Sequence, residues 1–230
     1  MSKPTMSTVP PTSPPSSETS ASETSAKTDR SLSLLWANLL SIALIVPVGI
    51  VGAAPFYLLW GETAMNAGSD ALFGNLWVFM GALVGGIGAH EAIHGLTWQA
   101  AAEEGSPAEA GSTAEGGSPV EYGIKWKTLT PYAHLKRPVT ARAYRWGTAM
   151  PGLALGAVPL MASYVTGSGG LFWFGLVFTW VASGDAMILW MIRGVSPDTV
   201  VEDHPERAGC WVVKEEPGAA ARSEDPAGGE

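Results

Sequence analysis

The 230-residue chain is only 15% Asp, Glu, Lys and Arg, yet it carries 10 tryptophans and a positive mean hydropathy, a balance that points to lipid rather than water around much of it. A net charge of −8 excludes a nucleic-acid partner, because phosphate binding needs a cationic surface. One cysteine, Cys210, excludes an internal disulfide and any CxxC metal or redox pair, and reads as a small buried or interfacial residue.

Residues 1–30 are Ser, Thr, Pro and Glu-rich with no apolar stretch, so they cannot form the apolar core of a signal peptide and are expected to be a disordered tail. A membrane domain is expected over 31–212. A bilayer core requires about 20 mostly apolar residues per helix, and four runs qualify: about 34–60, 71–98, 144–165 and 171–192. Trp36, Trp60, Trp77, Trp98, Trp146 and Trp173 lie near their ends, where amphipathic rings favour the headgroup level. Between the second and third runs, 101–119 is a low-complexity insertion of Ala, Glu, Gly and Ser. Tyr122, Ile124 and Trp126 then alternate with Gly123, Lys125 and Lys127, the period-2 pattern of a short strand over Tyr122–Thr128. The following PYAHLKRP reads as a turn or interfacial segment. Pro151, Pro159, Gly152 and Gly156 predict a bent or locally broken third span. Residues 213–230 read as a second disordered tail. The fold class is therefore an all-α membrane protein of four transmembrane helices with a short cytoplasmic strand segment and disordered tails.

Orientation follows from the basic residues. Residues 61–70 and 166–170, which link the first to the second span and the third to the fourth, contain no Lys or Arg. Lys27, Arg30, Lys125, Lys127, Lys136, Arg137, Arg142, Arg145, Arg193 and Arg207 flank the opposite ends, so a multi-pass cell-membrane protein with both termini cytoplasmic is expected.

Ionisable side chains are expensive in hydrocarbon, and apart from Arg145 at the very edge of the third run four fall inside spans: His90, Glu91 and His94 in the second, Asp185 in the fourth. HEAIH matches HExxH. Histidines at i and i+4 project from one helix face a turn apart, so both imidazoles can bind one zinc ion, and the glutamate between them is placed to act as general base. A metal-free polar cluster that holds helices together is the bland alternative. The glycines at 81, 85, 86 and 88 read as helix-packing positions rather than a phosphate loop, since no Walker lysine follows. His134 lies on the same membrane face as the motif. It is either an exposed or capping side chain, or a transition-state hydrogen-bond donor or accessory ligand. Asp203 and His204 have the same two readings, a solvated turn or a role at the site.

With HEAIH in a span, PYAH before the next, prolines in the third and SGD in the fourth, followed by EDHPERAGC, residues 70–212 resemble a family of prokaryotic membrane proteins catalogued as zincin peptidases. That family is in turn similar to the site-2 protease group, in which the two histidines of HExxH and a distant aspartate hold zinc. The resemblance implies hydrolysis of a peptide bond in or near the bilayer.

A catalytic zinc takes three protein ligands and keeps a position open, so HExxH needs one more donor. His134, Asp203 and His204 lie outside the spans, where water solvates them, whereas Asp185 would carry an uncompensated buried charge. Depth supports the same choice, because counting residues from the span ends brings Asp185 within about 5 Å of the level of His90 and His94. A protonated Asp185 hydrogen-bonded between helices is the alternative. The expected function is a zinc-dependent endopeptidase with Glu91 catalytic and His90, His94 and Asp185 holding zinc, acting on a membrane-associated protein or peptide and surrounded by membrane lipid. A catalytically inactive, peptidase-derived scaffold or chaperone is the second reading. A metal or proton carrier is the third, and is disfavoured by the lack of polar groups in the outer halves of the spans. Zincins bind substrate extended along a strand edge, and Tyr122–Thr128 is the candidate edge.

Overall fold

The computed structural model describes residues 26–105, 119–125 and 130–213. Most of the two expected tails, the insertion from 106 to 118, and Trp126, Lys127 and Thr128 of the expected strand lie outside them. In chain order the elements are β1 (Lys27–Leu32), α1 (Leu34–Phe73), α2 (Leu76–Gly105), β2 (Val120–Lys125), β3 (Thr130–Leu135), β4 (Val139–Thr140), α3 (Ala141–Pro151), a π-helical turn (Gly152–Ala157), α4 (Val158–Thr166), α5 (Gly169–Val181), α6 (Ser183–Met191), β5 (Val200–Asp203) and β6 (Ala208–Val213). The molecule is mostly helical. Three helical stretches, Leu34–Phe73, Leu76–Ala101 and Ala141–Thr166, are long and apolar enough to cross a membrane, and α5 with α6, bent by 43°, make a fourth if counted as one span.

The helices begin where small hydroxyl residues cap them. Ser33, Thr140 and Ser168 each accept a hydrogen bond from the backbone N–H three residues on, at the starts of α1, α3 and α5. The expected loop over 61–70 is helical instead. Gly61 breaks α1 with φ 75°, a conformation costly to any residue with a Cβ, and the chain then resumes as helix to Phe73. The expected break in the third span is the π-turn: Pro151 and Pro159 lack N–H groups, so the regular i to i+4 ladder cannot run through it.

The all-α expectation needs correction, because two small antiparallel sheets accompany the helices. One has the order β1-β6-β5-β4 and joins the segment before α1 to the segment after α6, with Lys27 opposite Val213 and Leu32 opposite Ala208. Lys27–Arg30, expected in the tail, are therefore strand. The other sheet pairs β2 with β3, Val120 opposite Leu135. The PYAHL stretch is thus a strand rather than a turn, because β2 supplies the partner its sequence does not advertise.

Two apolar cores result. Phe56, Phe172 and Leu176 fill the end of the bundle away from the sheets, with Phe56 and Phe172 stacked at 4.4 Å. Trp98, Tyr144, Ile192, Val201 and Cys210 belong to the core that joins the helices to the sheets. Trp98, expected as an interfacial anchor, is buried there, while Trp36, Trp77 and Trp146 are exposed. Of the four glycines before HEAIH only Gly86 makes a close approach, its missing Cβ leaving room for the Phe178 ring; a Cβ at 81, 85 or 88 would meet nothing.

Candidate metal centre

HEAIH lies on α2, so His90 and His94 face the same side one turn apart, and Asp185 comes from the first turn of α6, just past the α5–α6 bend. His90 Nε2 is 3.2 Å from His94 Nε2 and 3.1 Å from Asp185 Oδ2, and His94 Nε2 is 3.4 Å from Asp185 Oδ1. One ligand atom from each of the three residues lies within 4.8 Å of the others. Both imidazoles are buried and meet edge to face at 82°.

The protonation of His94 follows from its surroundings. Its Nδ1 lies 2.9 Å from the Gly147 carbonyl, which can only accept, so Nδ1 carries the proton and Nε2 presents a lone pair. That carbonyl is open to His94 for a local reason. Its helical partner would be the N–H of residue 151, and residue 151 is proline. Gly147 also leaves room for the Trp98 ring, which stacks on His94 at 5.0 Å and on Tyr144 at 5.7 Å, fixing the imidazole plane.

The Nε2 lone pair of His94 therefore points at a carboxylate oxygen and at a second imidazole nitrogen. Asp185 Oδ2 is buried without a hydrogen-bond donor, the 3.1 Å approach of His90 lacking hydrogen-bond alignment. The Asp185 oxygen and the His94 lone pair, both acceptors, repel at this distance out of water unless a proton or a cation lies among them. Two imidazoles and one carboxylate are the donor set of a catalytic zinc with an open position, so these residues fit a divalent metal of that kind.

Glu91 faces the same cavity, a space of about 200 Å³ lined also by Tyr132, Ala133, His134, Tyr144, Thr148, Asp203, His204 and Arg207. Its Oε2 accepts the Ala133 N–H at 2.8 Å, so the outer edge of β3 reaches the motif, while Tyr122 of β2 packs its ring against Gly95 just after it. The expected solvated turn is only partly one. His204 does turn the chain, its Nδ1 accepting the N–H groups of Glu206 and Arg207 at 3.1 Å each while its ring stacks on Trp211. Asp203, by contrast, has its side chain 12% exposed and is 2.7 Å from His134 Nδ1 through Oδ2.

Residues 83–200 match the family described as "putative zincin peptidase". The chain belongs to that family. Its members are classed as metallopeptidases, and the match spans HEAIH, His134 and Asp185 but stops short of Asp203. Neither the curated proteins nor the solved structures contain a match to this chain.

Sequence reasoning brought His90, His94 and Asp185 to one point and Glu91 beside them. It left Asp203 open between a solvated turn and a role at the site, and it missed Tyr144 and the Gly147 carbonyl. A signal for Asp203 existed: VVED and AGCWVV are two β-prone runs separated by a Pro-containing turn, the pattern of a hairpin.

Proposed function

We infer that this family member is a zinc-dependent endopeptidase that cleaves peptide bonds in or near a bilayer, with His90, His94 and Asp185 as metal ligands and Glu91 as general base. The observation that carries the reading is the convergence within 4.8 Å of ligand atoms from two buried histidines and a partly buried aspartate, on a cavity that Glu91 also lines. Zinc, when bound, supplies the Lewis acid that polarises the scissile carbonyl.

The rest of the chemistry belongs to the chain. Glu91, with one oxygen fixed by the Ala133 N–H, takes a proton from the attacking water as the water oxygen bonds to the carbonyl carbon. The same carboxyl returns that proton to the amide nitrogen as the C–N bond breaks. Retaining Glu91 makes sense for hydrolysis, since a site that only stored metal would have no use for a base. His94, held by the Gly147 carbonyl, keeps its Nε2 lone pair aimed at the metal position. Apolar helices of membrane length support a multi-pass cell-membrane protein, and the absence of Lys and Arg from 61–70 and 166–170 supports cytoplasmic termini and a site at the cytoplasmic face. A reporter fused after Trp60 should then behave as external and one after Val195 as cytoplasmic. HExxH in one span with an aspartate from a later one is also the arrangement behind the proposed relationship to site-2 proteases.

The deciding experiment compares the purified wild type with Glu91→Gln for zinc content, and the membrane-protein fragments in cells carrying each. Zinc retained in both, with fragments lost only in the variant, supports the peptidase. Zinc in both with identical fragments would make the protein a non-catalytic scaffold, and no zinc in either would remove the metallopeptidase reading.

A further inference from the structure

The most heavily bonded acidic side chain in the cavity wall is not a metal ligand. Asp203, at the end of β5, gathers groups from two other elements. Its Oδ2 is 2.7 Å from His134 Nδ1 on β3 and accepts the Leu135 N–H at 3.3 Å. Its Oδ1 accepts the Tyr144 hydroxyl of α3 at 2.8 Å, with the Gly209 carbonyl of β6 3.2 Å from the same hydroxyl. Tyr144 is 1% exposed, so this bond is sealed in the core.

These bonds decide the state of His134. A carboxylate is acceptor-only, so His134 Nδ1 carries a hydrogen toward Asp203. The ring cannot rotate without giving up a 2.7 Å charge-assisted bond. Asp203 cannot move either, because it is tied to β3 and α3 at once. His134 and Asp203 both line the cavity that holds Glu91 and the His90–His94–Asp185 cluster. The β3 strand links the two directly: Ala133 gives its N–H to Glu91 and the adjacent His134 gives its ring to Asp203. Register explains why both fall at the cleft. Ala133 and Leu135, two apart, both turn their N–H groups away from β2, to Glu91 and Asp203, so the outer edge of β3 is the wall of the site.

We propose that His134 is a catalytic residue that donates a hydrogen bond to the carbonyl oxygen of the scissile peptide as negative charge develops there, and that Asp203 is the positioning residue that holds it. This rests on the peptidase reading. In the step, water oxygen bonds to the carbonyl carbon, its proton passes to Glu91, and the carbonyl π pair moves onto oxygen. In this proposal the ring is the imidazolium partner of the Asp203 carboxylate, so it meets that oxygen through Nε2–H while Nδ1–H stays on Asp203, and it keeps both protons when the C–N bond breaks. A donor aimed at charge that appears only in the transition state raises kcat more than it lowers KM.

The test uses the full-length, zinc-loaded protein in detergent micelles with fluorescein-labelled casein, alongside ¹⁵N NMR of the histidine rings. His134→Ala should lower kcat by roughly 100-fold, with KM within about twofold and zinc content unchanged. Asp203→Asn should lower kcat by about 10 to 100-fold, and the double variant should lose little beyond His134→Ala, since the two act as one unit. The His134 Nδ1 resonance should be that of a protonated nitrogen in the wild type and should change in Asp203→Asn. Wild-type kcat in a zinc-loaded His134→Ala protein overturns the assignment, and that variant decides the matter even if Asp203→Asn fails to fold. Loss of zinc in parallel with activity would make both residues merely structural. A zinc-loaded wild type that cleaves nothing overturns the peptidase reading itself, and this assignment with it.

Discussion

The two ends of the helical bundle follow opposite rules. At the end away from the sheets, Phe56, Phe172 and Leu176 form a wholly apolar centre, and nearby polar atoms find a carbonyl: Trp60 Nε1 donates to Tyr164 O at 3.0 Å, Trp173 Nε1 to Met65 O at 2.9 Å and the Tyr164 hydroxyl to Gly52 O at 2.9 Å. At the sheet end, two imidazoles and a carboxylate turn their polar atoms toward one another. Among the described residues, the buried side-chain atoms without a hydrogen-bond partner are His90 Nδ1, Thr179 Oγ1, Ser183 Oγ and Asp185 Oδ2, on α2 and around the α5–α6 bend. The comparison teaches that one end is held by apolar packing and satisfied polar groups, while the other gathers three residues that could hold a metal ion.

The sharpest way to break that contrast is to remove Asp185. Asp185→Ala should weaken zinc binding by more than about 100-fold, beyond the roughly 10 to 100-fold typical of an outer partner, while His134→Ala keeps the metal. Metal analysis of the folded variants checks this, and full zinc occupancy in Asp185→Ala would show that the convergence of acceptors has another purpose.

At the packing end, Phe172→Ala should destabilise the protein by about 3–5 kcal/mol through the cavity it leaves beside Phe56, with zinc per folded molecule unchanged. Thermal unfolding with metal analysis measures both. Zinc loss at this distance would mean that the two ends are coupled rather than separate.

A check that leaves the site itself untouched concerns Cys210, whose side chain on β6 is fully buried in the core between the sheet and the helices. Burial, with Asp203 and Asp29 adding negative charge, pushes its thiol up to about 12. Only the thiolate reacts, so at pH 8 the folded protein should alkylate about a thousand-fold more slowly than the unfolded chain. The rate should climb about tenfold per pH unit until the pH nears that value. Rapid alkylation at pH 8 would show that the sheet opens.

Much of the site was legible because its chemistry is local or costly. HEAIH names its own geometry through the helical repeat, and Asp185 stood out because a carboxylate inside an apolar run demands a partner. Counting from the span ends gave its depth correctly, and its ligand atoms do lie within 4.8 Å of those of the histidines. Asp203 offered no such cost, since a carboxylate in a polar segment after the last span looks solvated until β3 and α3 close on it.

By itself the sequence determined what is periodic or expensive: four apolar runs, a metal motif on a helix, a proline-broken third helix and a buried aspartate. Tertiary structure alone decided what depends on a partner distant in the chain. β1 is a strand because β6, beginning at Ala208, lies beside it, and PYAHL is a strand because β2 does. Trp98 is a core residue because Tyr144 and His94 sandwich it. Asp203 becomes the tie across the cleft only when His134 and Tyr144 arrive. The physical reason is the same in each case: helices satisfy their backbone within a few residues, whereas strand pairing and side-chain burial are settled by whichever segment the fold brings alongside.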